Sequence, residues 1–141
     1  MAERRTFSVS LVTPEGAAWE GEAEMMVVPG AAGEIGVLAR HAPLVAMLNA
    51  GSTRIYTSVD SQDVVAFATG PGFFQVEQDR ALALVDDAVD TREIDVGRAR
   101  EQLEAAQAEL ARVESGESEA DRWQLEQRIR HAENQLTATQ S

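Results

Sequence analysis

Near residue 90 the apolar residues of this chain change their spacing, and that change limits the fold more than any other feature of the sequence. Before it they alternate. Phe7, Val9 and Leu11 interleave with Thr6, Ser8 and Ser10, the period of a half-buried strand. Pro14-Glu15-Gly16, Asn49-Ala50-Gly51, Asp60-Ser61-Gln62-Asp63, Gly70-Pro71-Gly72 and Glu77 to Arg80 separate further apolar runs at Met25 to Val28, Leu44 to Leu48, Val64 to Ala68, Phe73 to Val76 and Ala81 to Val85. Turn signals about every eight to twelve residues mark an antiparallel sandwich or barrel from Arg5 to about Asp87, and the unbroken run Met25 to Val28 predicts a strand buried on both faces.

After the change, Ala99, Leu103, Ala106, Leu110 and Val113 are spaced 4, 3, 4 and 3 apart, and Leu125, Ile129, Ala132 and Leu136 are spaced 4, 3 and 4 apart. Both are amphipathic helices. Asp95 is placed to cap the first; Ser115-Gly116 interrupts the pattern, and Ser118 with Asp121 restarts it like a capping box. So short a link makes an antiparallel hairpin. Its narrow stripes are rich in alanine, so the spacing predicts loose docking on the β region or movement. The expected division is a sandwich domain over residues 1–90 and a helix-turn-helix over 91–141.

Between two apolar runs, Pro29 to Leu44 (PGAAGEIGVLARHAPL) crowds three glycines, an acid, a histidine and two prolines. It reads as a shaped loop and bend, and shaped loops serve contact. Glu34, between two glycines, is held outward toward something basic or is an ordinary turn acid.

Charge narrows the possible partners. The net charge is -12, with twelve arginines and no lysine, which repels phosphate backbones and anionic headgroups. Nucleic-acid binding and direct lipid insertion are not expected, and a cationic protein partner suits better. Aromatic residues, at 5%, are too sparse for a base- or sugar-stacking surface. There is no cysteine for a disulfide or thiolate site. The start, MAERRTFSVSLV, lacks the pattern of a signal peptide.

Catalytic constellations are not found: the sequence has no phosphate loop, nucleophile elbow or HExxH. Neither a catalytic residue nor a metal site is expected. His41, between Arg40 and Ala42-Pro43, reads as a bend-shaping residue, and His131 as solvated on a charged helix. Asp86, Asp87 and Asp90 lack a ligand loop and read as a solvated linker.

VTPEG at 12–16, GEAE at 21–24, GEIGVL at 33–38 and HAPL at 41–44, followed by IDVGRA at 94–99 and a helical hairpin, resemble the epsilon subunit of F-type ATP synthase, called delta in mitochondria. The resemblance covers roughly Thr6 to Leu136. It implies a sandwich of about ten strands followed by a helical hairpin, and a noncatalytic rotor-stalk subunit that couples ring rotation to ATP synthesis. The implied partners are the gamma subunit, the c-ring and the alpha/beta catalytic head, and the implied location is the cytoplasmic side of the bacterial inner membrane. Glu34 and His41 match positions at the ring-facing end. The family often has glycine before the histidine; here Arg40 stands there.

Ile94, Asp95, Arg98 and Ala99 match the family's IDxxRA pattern, associated with ATP binding in some members. Arg98 with Arg122 or Arg128 would hold the phosphates, making ATP a regulatory ligand and no cofactor a requirement. Where ATP-binding members can carry an acid, five residues before Ile94, this chain has Val89. Read by itself, IDVGRA is a helix start: a cap, an ion-pairing arginine and a packing alanine. In the family the hairpin folds on the sandwich or extends to inhibit hydrolysis. The competing reading is a free-standing β-sandwich ligand module with a helical dimerisation hairpin.

Overall fold

A computed structural model of the chain describes residues 5–138. Ten strands come first: β1 (Phe7–Thr13), β2 (Gly16–Ala23), β3 (Met25–Gly30), β4 (Gly33–Leu38), β5 (Leu44–Leu48), β6 (Gly51–Ser58), β7 (Asp63–Thr69), β8 (Gly72–Glu77), β9 (Arg80–Val85) and β10 (Ala88–Asp90). A 3-10 turn at Thr91–Glu93 leads to the helices α1 (Val96–Glu114) and α2 (Arg122–Ala138). This is the expected β-sandwich and helical hairpin.

The strand order is β10-β7-β6-β3-β5-β8-β9-β1-β2, with β4 on the other side of β3. One pair, Gly30 opposite Leu48, links β3 to β5, and there the sheet folds over into two layers. All pairings are antiparallel except β1 with β9, two strands far enough apart in sequence that no hairpin constrains their direction. Alternate residues point inward and meet between the layers: Phe7, Val9, Leu11, Met26, Val28, Val37, Leu48, Ile55, Phe74 and Val76 are buried in one cluster. The run Met25 to Val28 is covered on both faces over three of its four residues: inward Met26 and Val28 are fully buried and outward Val27 is only 8% exposed, whereas outward Met25 is half-buried. The buried Thr53 hydroxyl donates to that of Thr69 at 2.9 Å, and Thr69 donates in turn to the Gly51 carbonyl at 3.2 Å.

Two local readings need correction. The stretch from Pro29 to Leu44 is not all loop, because Gly33–Leu38 forms β4 along the whole of β3. Its alternation, with Ile35 and Val37 inward, is a strand period that the neighbouring glycines obscured. The second helix is capped by Asp121, whose side chain accepts from the Gln124 N–H at 3.2 Å. Ser118 instead donates to Glu109 on α1 at 2.5 Å. Asp95 caps α1 as expected, accepting from the Arg98 N–H at 3.0 Å. Between the helices Gly116 takes φ +83, a left-handed turn that reverses the chain without β-carbon strain.

Candidate functional site

Glu34 and His41 lie toward opposite ends of the β4 segment. From Glu34 to Leu38 the strand advances about 13 Å, and His41 follows three residues later. Among the described residues β4 pairs only with β3, and no strand of theirs covers its other edge. The Glu34 side chain is 60% exposed and meets a base of its own chain, the Arg54 guanidinium on β6, at 3.3 Å. His41 is half-buried. Its Nδ1 lies 2.7 Å from the Ala42 carbonyl, which can only accept, so Nδ1 carries the proton. Arg40 explains the glycine of the resembling pattern: its φ is 65, a conformation that L side chains resist. A 2.5 Å bond from its backbone N–H to Asp79 helps hold it there.

Two rows of apolar side chains on the outer faces carry no such motif. Met47 on β5 sits opposite Phe73 on β8, which sits opposite Leu84 on β9; with Val45 they form one patch, Val45 being 62% exposed. On the other layer Leu38, Met25, Tyr56 and Val64 lie in register across β4, β3, β6 and β7. Neither row is marked in the sequence analysis, where Leu44 to Leu48 is only an apolar run between turns. The available signal was Val45 and Met47, apolar at outward positions where a solvated sheet would alternate to polar.

The hairpin meets the sandwich in a cleft. A cavity of about 420 Å³ opens there, lined among others by Asp86, Asp87, Glu109, Gln127, Arg128 and His131. His131 is not solvated as expected; its side chain is 12% exposed and its Nε2 lies 2.8 Å from Asp87. The bond from His131 holds the Asp87 carboxyl below the usual carboxylate range, against the opposing effect of its partial burial. Asp86 moves the other way. Its carboxylate is packed against the Gly70 backbone, where a β-carbon would collide with it, and this loss of water raises its pKa. The aspartate pair is therefore part of the seam.

Of the IDVGRA residues, Asp95 caps α1, Ala99 is fully buried, Ile94 is half-buried and Arg98 is exposed. Arg128 lines the cleft, and Arg98 lies outside its lining. Arg122 does not join them: at the far end of the hairpin it pairs with Glu114 at 3.0 Å and Glu126 at 3.1 Å. Among the described residues no group of three or more acids or histidines is placed to hold a metal ion, and no helix is long and apolar enough to cross a membrane.

Residues 6–91 match the beta-sandwich domain of the ATP synthase delta/epsilon chain. The ATP synthase epsilon chain of Thermosynechococcus vestitus is 34% identical over 131 residues, covering 93% of each chain. That of Shouchella clausii is 39% identical over 106 residues, covering 75% of this chain and 77% of the other. A solved chain from the OSCP/F1/c-ring assembly of Euglena gracilis mitochondrial ATP synthase shares the fold, with a TM-score of 0.73 at 22% identity, over 94% of this chain and 81% of its own. With a domain match over most of its length and relatives at this identity spanning nearly all of it, the chain belongs to the delta/epsilon family of ATP synthase subunits.

Proposed function

We propose that the chain is a rotor-stalk element that binds the gamma subunit through the outer face of β5, β8 and β9 and contacts the c-ring along the β4 edge. It works at the cytoplasmic face of a bacterial inner membrane and couples ring rotation to the catalytic head. The observation that carries the gamma contact is the row of Met47, Phe73 and Leu84 beside Val45. Four large apolar side chains together on a face that otherwise faces water mark a protein interface, since their burial is the main gain on association. The -12 charge keeps the rest of the surface off lipid and suits a ring loop that carries a cation.

Phe73→Glu tests this reading. The variant is expected to fold, because Phe73 points outward, and to lose co-purification with gamma. Full retention of gamma by a folded variant refutes the proposed face. Glu34→Arg is expected to weaken coupling of hydrolysis to ion pumping in the reconstituted enzyme while leaving the free subunit folded; unchanged coupling removes Glu34 from the ring contact.

A second reading concerns ATP as a regulatory ligand. It is favoured by one observation, that Arg128 on α2 lines the cleft between hairpin and sandwich. A triphosphate held there competes with Asp86 for Arg128. Calorimetry with millimolar ATP decides it: heat that disappears in Arg98→Ala and Arg128→Ala supports the site, and no heat discards it.

A further inference from the structure

The face that α2 turns to the sandwich carries amides and an imidazole at the positions where a docked helix usually carries hydrocarbon. Gln127 is 5% exposed, and its Oε1 accepts from the Ala50 N–H at 3.0 Å. Two turns later the Asn134 Nδ2 donates to the Gly51 carbonyl at 2.6 Å, a carbonyl that also accepts from the Thr69 hydroxyl. Between them His131 reaches Asp87. A backbone N–H only donates and a carbonyl only accepts, so the two peptide groups of the β5–β6 turn fix which end of each amide faces them. Gln127 and Asn134 thus read one turn in both senses, acceptor to donor and donor to acceptor.

We propose that Gln127 and Asn134 form a docking key that positions the hairpin on the β5–β6 turn and contributes to holding it there. The physical ground is the exchange with water. When the hairpin leaves, the Ala50 N–H, the Gly51 carbonyl and both amides are rehydrated, so each bond contributes only its small net value. Both bonds join α2 to the same turn, so together they fix its position along and across the sheet edge. The key stands on the fold alone and does not depend on the partners proposed above.

Hydrogen exchange of the Ala50 amide tests it in the full chain, because that N–H is bonded to Gln127 and its protection reports docking. Asn134→Asp replaces a donor by a carboxylate facing a carbonyl. Ala50 protection is expected to fall about ten-fold or more at neutral pH, while the Ile55 and Phe74 amides of the core change less than about two-fold. As pH falls through the carboxylic acid range, the neutral acid regains an O–H donor for Gly51, and the protection factor recovers in this variant and not in the unsubstituted chain. Asn134→Ala lowers protection about three- to ten-fold with no recovery, and Glu133→Gln, exposed on the same turn, leaves it unchanged. Ala50 protection within two-fold of the unsubstituted chain in both Asn134 variants, or a loss in Asn134→Asp that persists through the acid range, overturns the key.

Discussion

The interior of the sandwich and the seam beneath the hairpin are both buried, and they are held by different chemistry. Between the sheets, Phe7, Leu11, Met26, Ile55 and Phe74 interlock with almost no exposure, and the buried hydroxyls are satisfied in a chain from Thr53 to Thr69 to the Gly51 carbonyl. Under α2 the contacts are Gln127 to Ala50, Asn134 to Gly51 and His131 to Asp87. Apolar burial is strong and nondirectional, so the core tolerates no easy separation. Hydrogen bonds to backbone are weak in net and directional, so the seam specifies a position without committing to it.

Removing side chains on either side breaks this comparison. The largest expected effect is in the core: Phe74→Ala leaves a cavity and lowers the unfolding free energy by about 3–5 kcal/mol in urea titration. Next is Thr69→Val, which leaves the Thr53 hydroxyl without its acceptor and is expected to lower it by about 1–3 kcal/mol, a loss that simultaneous Thr53→Val reduces. A chain ending at Asp90 is expected to retain cooperative unfolding of the sandwich; collapse of that transition would make the hairpin part of the core. Arg40→Gly relieves a left-handed residue and is expected to stabilise by about 1 kcal/mol, with an unchanged or lowered midpoint counting against strain at that position.

The smallest effects separate two neighbours in the seam. Asp87 has a lowered folded pKa, so its contribution is full above the unfolded carboxyl range and is lost as pH falls through the folded value. Asp86 has a raised one, so its contribution is present at acid pH and is lost as pH rises from the unfolded to the folded value. At neutral pH Asp87→Asn is therefore expected to lower the unfolding midpoint and Asp86→Asn to raise it, both converging on the unsubstituted chain in acid. Equal signs at neutral pH would mean that the two carboxylates share one environment.

The stretch from Pro29 to Leu44 shows how far local pattern reaches. Its glycines and prolines announced a shaped segment, and its place between apolar runs announced an exposed one. That it contains the strand β4 was present in the alternation of Ile35 and Val37, yet it takes β3 alongside to turn alternation into a strand. Arg40 was visible as a departure from the resembling pattern. Only the backbone, at φ 65, explains why glycine is favoured there.

Legible in the residues alone were the period change near residue 90, the antiparallel strands and helical hairpin on either side of it, the Asp95 cap, the inward residues of β1 and the family resemblance. These are local periodicities and motifs, which neighbouring residues encode. Only the folded chain shows that Glu34 meets Arg54, that His131 packs against Asp87, that Arg122 pairs with Glu114, and that Met47, Phe73 and Leu84 fall in one row. Each joins residues distant along the chain or rests on how separate elements come to lie in space, and no local period carries that information.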